Sequence, residues 1–159
     1  MTEKGFQDYY PEEYSHCYGC GRLNKSGMRI KSFWDGDESV CKHTPAQYYT
    51  GGFSDKIYGG LIASLMDCHC AGTAAAAKHR ADGFELGEKP IPRFVTASLK
   101  VDYIKPTPAG IELEVRAKVV EIKNRKVVLS AELIADGVVT AKGEAIMVQM
   151  PDEPIPQNL

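Results

Sequence analysis

The sequence has no long uninterrupted apolar run, no block of one charge and no second cysteine pair at the spacing of a zinc ribbon. Its longest apolar stretch, Leu61 to Ala77, has 17 residues and is broken by Asp67 and His69. That is short of the roughly 20 apolar residues a membrane helix needs, so no membrane span is expected. Nineteen Lys plus Arg against 21 Asp plus Glu leave a formal net charge of -2. Without a basic patch, nucleic-acid binding is not expected, and neither is a basic membrane-surface helix. The opening MTEKGFQDYYPEEY is polar and acidic and lacks the apolar segment of a secretory leader, and five cysteines make an odd count. Both point to a reducing, cytoplasmic setting, and Asn24-Lys25-Ser26 is treated as a chance sequon. The Gly-x-Ser-x-Gly elbow, the P-loop and His-Glu-x-x-His are also absent, and Gly19-Cys20-Gly21 lacks the third glycine of a dinucleotide fingerprint.

What is present is ordinary globular material, with 43% hydrophobic and 25% charged residues. A chain of this length buries roughly 70% of its unfolded surface and suits a single domain over 1–159, with an irregular segment 1–26 and a Pro-rich tail 150–159. Gly27 to Thr44 reads as a hairpin around Asp35-Gly36-Asp37. Gly59 to Ala77 is made mostly of good helix formers, apolar on every face, which predicts one long buried helix. Lys78, His79 and Arg80 form a basic last turn, and 81–94 is a loop. The period then changes to two. Val95, Ala97, Leu99, Val101 and Tyr103 alternate with polar residues, as do Ile111, Leu113, Val115, Ala117 and Val119. Lys126 to Ala135 and Val138 to Val148 are two more strands joined at Asp136-Gly137, a type I′ turn pair. Two strands, one helix and four antiparallel strands make an α+β fold with its sheet wrapped on a single helix.

Within that helix Asp67 is the only formally charged side chain between Leu61 and Ala77. A carboxylate there is either bonded to its neighbours or held as a base or nucleophile, and burial would push its pKa up. Gly59-Gly60 opens the helix, where unpaired N–H groups and the positive end of the dipole can stabilise an oxyanion. Eight residues separate Gly59 from Asp67, about 12 Å along one axis. A single chain cannot set both on one carbonyl. A two-fold dimer could pair Gly59 of one subunit with Asp67 of the other.

These residues carry a resemblance. Tyr58-Gly59-Gly60 followed by Asp67 resembles the His-Gly-Gly and Asp signature of the PaaI-type hotdog acyl-CoA thioesterases, and Cys17-Tyr18-Gly19-Cys20-Gly21-Arg22-Leu23-Asn24 is similar to an N-terminal pattern of many of its members. The likeness spans about residues 17–149 and implies a hotdog fold that assembles as a homodimer or tetramer. It also implies that Asp67 is general base or nucleophile toward an acyl-CoA thioester, that the Gly59 N–H polarises its carbonyl, and that Thr96 orients water or the acid. Tyr58, Gly60 and Ser98 would be substrate-binding positions, with neither metal nor cofactor. The sequence departs from the family at Tyr58, which replaces His, and at Gly52, where some members have Asn or Gln.

Other residues read more plainly. His69 is a packed or dimer-contact histidine, and His79 a helix-end cation. Cys17-x-x-Cys20 beside His16 could begin a zinc site, but Cys68 and Cys70 point apart on a helix and no ligand set closes. Tyr48, Tyr49, Phe53 and Trp34 are either pocket lining or core. Lys78, Arg80, Lys89 and Arg93 flank the loop as a solvated scatter or as contacts for the phosphates of coenzyme A. Two further readings stand beside hydrolysis: a non-catalytic hotdog module that binds thioesters or a protein, and a dehydratase, for which the required His and acid pair is not seen.

Overall fold

The computed structural model describes residues 3–152. Two 3-10 turns, Phe6–Tyr9 and Glu12–Tyr14, lead to strands β1 (Ser32–Asp35) and β2 (Glu38–His43). Helix α1 (Gly59–Ala81) follows, then β3 (Phe94–Tyr103), β4 (Leu113–Lys123), β5 (Lys126–Ala135) and β6 (Val138–Gln149). The six strands form one antiparallel sheet in the order β1-β2-β4-β5-β6-β3, wrapped on α1. This is the expected α+β architecture. The part of the Pro-rich tail after residue 152 lies outside the described residues.

Alternation builds the sheet. On β5, Val127, Leu129, Ala131, Leu133 and Ala135 are buried while their neighbours are half-buried. β4 begins at Leu113 rather than the expected Ile111, because Leu113 pairs with the last residues of both its neighbours, His43 and Ala135. Asp136 and Gly137 take φ of 50° and 74°, the left-handed pair that a type I′ turn requires.

Helix α1 is not buried on every face as its composition suggested. Leu61, Leu65, Met66 and Ala74 pack against the sheet, Ala75 and Ala76 against Phe6 and Ile91, and each large apolar side chain buried there contributes roughly 1.5–3 kcal/mol. Gly60, Ser64, Asp67 and Ala71, spaced at three and four residues, stay open or half open along one strip. Apolar composition hid this strip because three of its four residues are small, and Gly and Ala fit either side of an interface.

One polar chain crosses the core, and His69 is its centre. Its Nδ1 meets Ser32 Oγ at 2.8 Å and its Nε2 meets Ser39 Oγ at 3.0 Å. Gln7 Nε2 donates to Ser32 Oγ, the Ser32 N–H donates to Gln7 Oε1, and Ser39 Oγ lies 2.6 Å from Thr73 Oγ1. Burial lowers the His69 pKa to about 4, so the ring is neutral. His69 is therefore a packed histidine. His79, at the helix end, is buried as well, its Nε2 donating to Glu85 O at 2.9 Å and so holding the loop after the helix.

Candidate active site

Thr96 reaches the helix because β3 carries a bulge. Thr96 pairs with Met147 and Ser98 with Ile146, which leaves Ala97 as the extra residue. Residues opposite each other in an antiparallel pair share a face. Thr96 therefore shares the core face with the buried Met147, and beyond the bulge Leu99 shares it with the buried Ala145. Strict alternation had set Thr96 on the face opposite Leu99. The bulge breaks that alternation and puts both toward α1.

The Thr96 hydroxyl donates to Asp67 Oδ1 at 2.5 Å. Both line a cleft of about 320 Å³ whose other walls include Tyr10, His16, Arg93 and three cysteines. Asp67 is half-buried rather than enclosed. A hydroxyl donating to Oδ1 fixes the rotamer of the carboxylate, leaving Oδ2 to take a proton from water or to attack a carbonyl.

Gly59 and Gly60 sit at the other end of the open strip, two turns of α1 away. As the first helical residues, their N–H groups have no intrahelical acceptor and stand at the positive end of the dipole. Tyr103 Oη donates to Gly59 O at 2.7 Å, tying the end of β3 to the start of the helix. The ring of Tyr58 folds so closely over Gly60 that a Cβ there would strike it, and it stacks parallel to Tyr49 at 6.4 Å. Tyr58 is 41% exposed. Gly59 lines a separate hollow with Ile57, Ile62 and Tyr103.

The structure thus joins Asp67 to Thr96 and groups Tyr58, Gly59 and Gly60, but within one chain it keeps the two groups apart. Ser98 lies on the sheet face away from Asp67, opposite Ile146, and is exposed. Gly52 is exposed with open space where a side chain would be.

Of the aromatics, Trp34 packs on Phe6 beneath the Arg80 guanidinium, whereas Tyr48 and Phe53 lie on the surface. Among the basic residues, Lys78 pairs with Asp82 and Lys89 covers Phe84. Arg93 alone of these four lines the Asp67 cleft, and it also lines the neighbouring hollow of about 570 Å³ under the 81–94 loop. Sequence reasoning singled out neither Tyr103 nor the meeting of Cys17, Cys20 and Cys68 in the cleft wall.

The three sulfur atoms all lie within 4.8 Å of one another. Hydrogen bonds from the Cys20 and Cys68 thiols and from the backbone N–H groups of Cys20 and Gly19 hold the Cys17 thiol well below its usual range. Its bond to Cys17 pushes Cys20 up to about 12, and the same partner raises Cys68.

A sheet wrapped on one helix, with an acid on the helix and glycines at its start, defines the hotdog class, and comparison with known proteins gives the family. The thioesterase superfamily model matches residues 56–142, and the chain belongs to that superfamily. It is 30% identical over 115 residues to acyl-coenzyme A thioesterase THEM4 of Xenopus laevis, a match covering 70% of this chain and 45% of that protein. The chain spans less than half the length of that relative. A thioesterase superfamily protein from Shewanella loihica PV-4 is 40% identical with a TM-score of 0.67, covering 87% of this chain and 97% of that one. The E. coli PaaI protein from the phenylacetic acid degradation operon shares the fold at 17% identity, with a TM-score of 0.63 over 78% of this chain and 81% of that one. Among the described residues no helix is long and apolar enough to cross a membrane.

Proposed function

We propose that the protein is an acyl-CoA thioesterase that hydrolyses a small or aromatic acyl thioester to the free acid and coenzyme A. The observation that carries this reading is the Thr96 hydroxyl bonded to the Asp67 carboxylate in the wall of a cleft. Asp67 removes a proton from the attacking water, or attacks the carbonyl itself, and Thr96 holds it in place. A thioester suits this modest machinery, because its carbonyl is electrophilic and its thiolate leaves without strong acid assistance.

The Gly59 N–H serves as the oxyanion donor, and because Gly59 lies two turns from Asp67 on the same helix, the complete site is shared across a homodimer, whether alone or paired into a tetramer. Tyr58 and Gly60 lie at the acyl entrance. Arg93, on the rim of two adjoining hollows, is placed to meet a coenzyme A phosphate. The chemistry assigned to Asp67 and Thr96 uses no metal or cofactor, and the five free thiols favour a reducing cytoplasm.

The test is thiol release from short-chain, medium-chain and aromatic acyl-CoAs by wild type and Asp67→Asn in parallel. Turnover of one acyl class that is lost in the variant is the expected result. The second reading, a binder without turnover, is favoured by Tyr58 standing in place of His. Acyl-CoA that raises the Tm yet is never hydrolysed would establish that reading and overturn the first.

A further inference from the structure

Cys17 and Cys20 belong to the loop before β1, and Cys68 follows Asp67 directly on α1. The Sγ atoms of Cys17 and Cys68 are 3.7 Å apart. Ligands 2.3 Å from a tetrahedral zinc ion lie about 3.8 Å from one another, whereas a disulfide needs about 2.05 Å. The spacing is that of thiols around an ion. All five cysteines are free.

The loop is shaped around these sulfurs. Gly21 N–H donates to Cys17 O at 2.8 Å, closing a tight turn, while the N–H groups of Gly19 and Cys20 point at Cys17 Sγ. Gly19 rests so closely on Cys68 that a Cβ would strike its sulfur. Met28 N–H bonds to Tyr18 O at 2.8 Å and Ile30 N–H to Gly19 O at 3.1 Å, so the loop is fixed to the chain that enters β1. Two ligands on a braced turn and a third on a helix give a prearranged donor set. Its chemistry is soft: sulfur donors select zinc-class ions over magnesium or calcium, which take oxygen.

We propose that Cys17, Cys20 and Cys68 bind one zinc-class divalent ion, which ties the N-terminal loop to α1 in the wall of the Asp67 cleft. No fourth cysteine, histidine or carboxylate joins the three among the described residues, so water completes the coordination. Binding is a proton exchange without oxidation. Cys17, Cys20 and Cys68 each bind as a thiolate, and every thiol proton the ion displaces is released to solvent. The site stands apart from the thioesterase reading, and its test reads metal rather than turnover.

The reduced full-length protein, stripped with a chelator, is titrated with zinc and separately with cobalt, which reports thiolate ligation by charge-transfer absorption. One ion per chain is expected, with release of protons on binding. Cys68→Ser and Cys17→Ser should each weaken binding beyond the ~10–100-fold that loss of an outer partner costs. Cys70→Ser, on the same helix but outside the cluster, should bind as wild type. If circular dichroism shows Cys68→Ser unfolded, Cys17→Ser, at an exposed position, decides alone. Substoichiometric uptake, uptake unchanged in the cysteine variants, or a reduced protein that ignores both ions and forms a Cys17–Cys68 disulfide in air overturns the proposal.

Discussion

Asp67 and His69 are two residues apart on α1 and have opposite fates. Asp67 faces the cleft with one hydroxyl partner, while His69 is closed in by serines on both ring nitrogens. Asp67→Asn keeps the size of the side chain and removes the proposed base or nucleophile, so it should lower kcat by roughly 10²–10⁴-fold with an unchanged circular dichroism spectrum. Thr96→Val removes one hydrogen bond to a charged group, about 1.5–3 kcal/mol, and should cost about 10- to 100-fold in kcat with little change in KM. For His69 the measurement is stability against pH. The ring titrates near 4 when folded and near 6.5 when free, so between those values the unfolded chain binds the extra proton. The contribution is full above pH 6.5 and is lost as pH falls through 4, in total about 3 kcal/mol. Urea unfolding from pH 7 to 4 should show this loss in wild type, and a correspondingly flatter profile in His69→Gln.

At the scale of elements, the sequence announced the strands well because half-buried strands alternate, as the buried set Leu113, Val115 and Ala117 on β4 illustrates. It announced α1 through helix formers but not the open strip, since Gly60, Ser64 and Ala71 carry no strong preference for either environment. The Asp67 and Gly59-Gly60 positions were legible from charge and glycine in an apolar run. The approach of Thr96 to Asp67 depended on a bulge at Ala97 that no period-two reading contains. The cysteine cluster was hidden for a different reason: its third member comes from another element, 48 positions after Cys20, and spacing rules see only near neighbours. The alanines of α1 make a further expectation. Ala75 is fully buried and Ala71 half-buried. Ala75→Leu should overpack the seam with the N-terminal segment and cost roughly 1–3 kcal/mol in thermal unfolding, while Ala71→Leu on the open strip should cost less.

For the whole molecule, the arrangement of the site becomes a question of assembly. β3 forms one edge of the sheet, and beside it run the open strip of α1 and the hollow at Gly59. If the site is shared between subunits, Asp67→Asn and Gly59→Val should each be inactive alone, yet unfolding and refolding an equal mixture should restore about a quarter of wild-type activity, since half the dimers then hold one intact site. A mixture that stays inactive would place the whole site within one chain. Sedimentation of the same samples reads the dimer directly.

The family match begins at residue 56, but the interior is closed from further upstream, where Phe6 packs near Ala75 and Ala76 and Gln7 hydrogen-bonds Ser32. The stretch the family model matches and the stretch that closes the core therefore begin some fifty residues apart. The amide of Gln7 acts as a latch: a chain trimmed to start at residue 8 would keep every strand and the helix yet leave the Ser32 N–H and one end of the histidine relay without an acceptor or donor. Such a trimmed chain should melt lower and resist proteolysis less, even though the stretch the family model matches is intact.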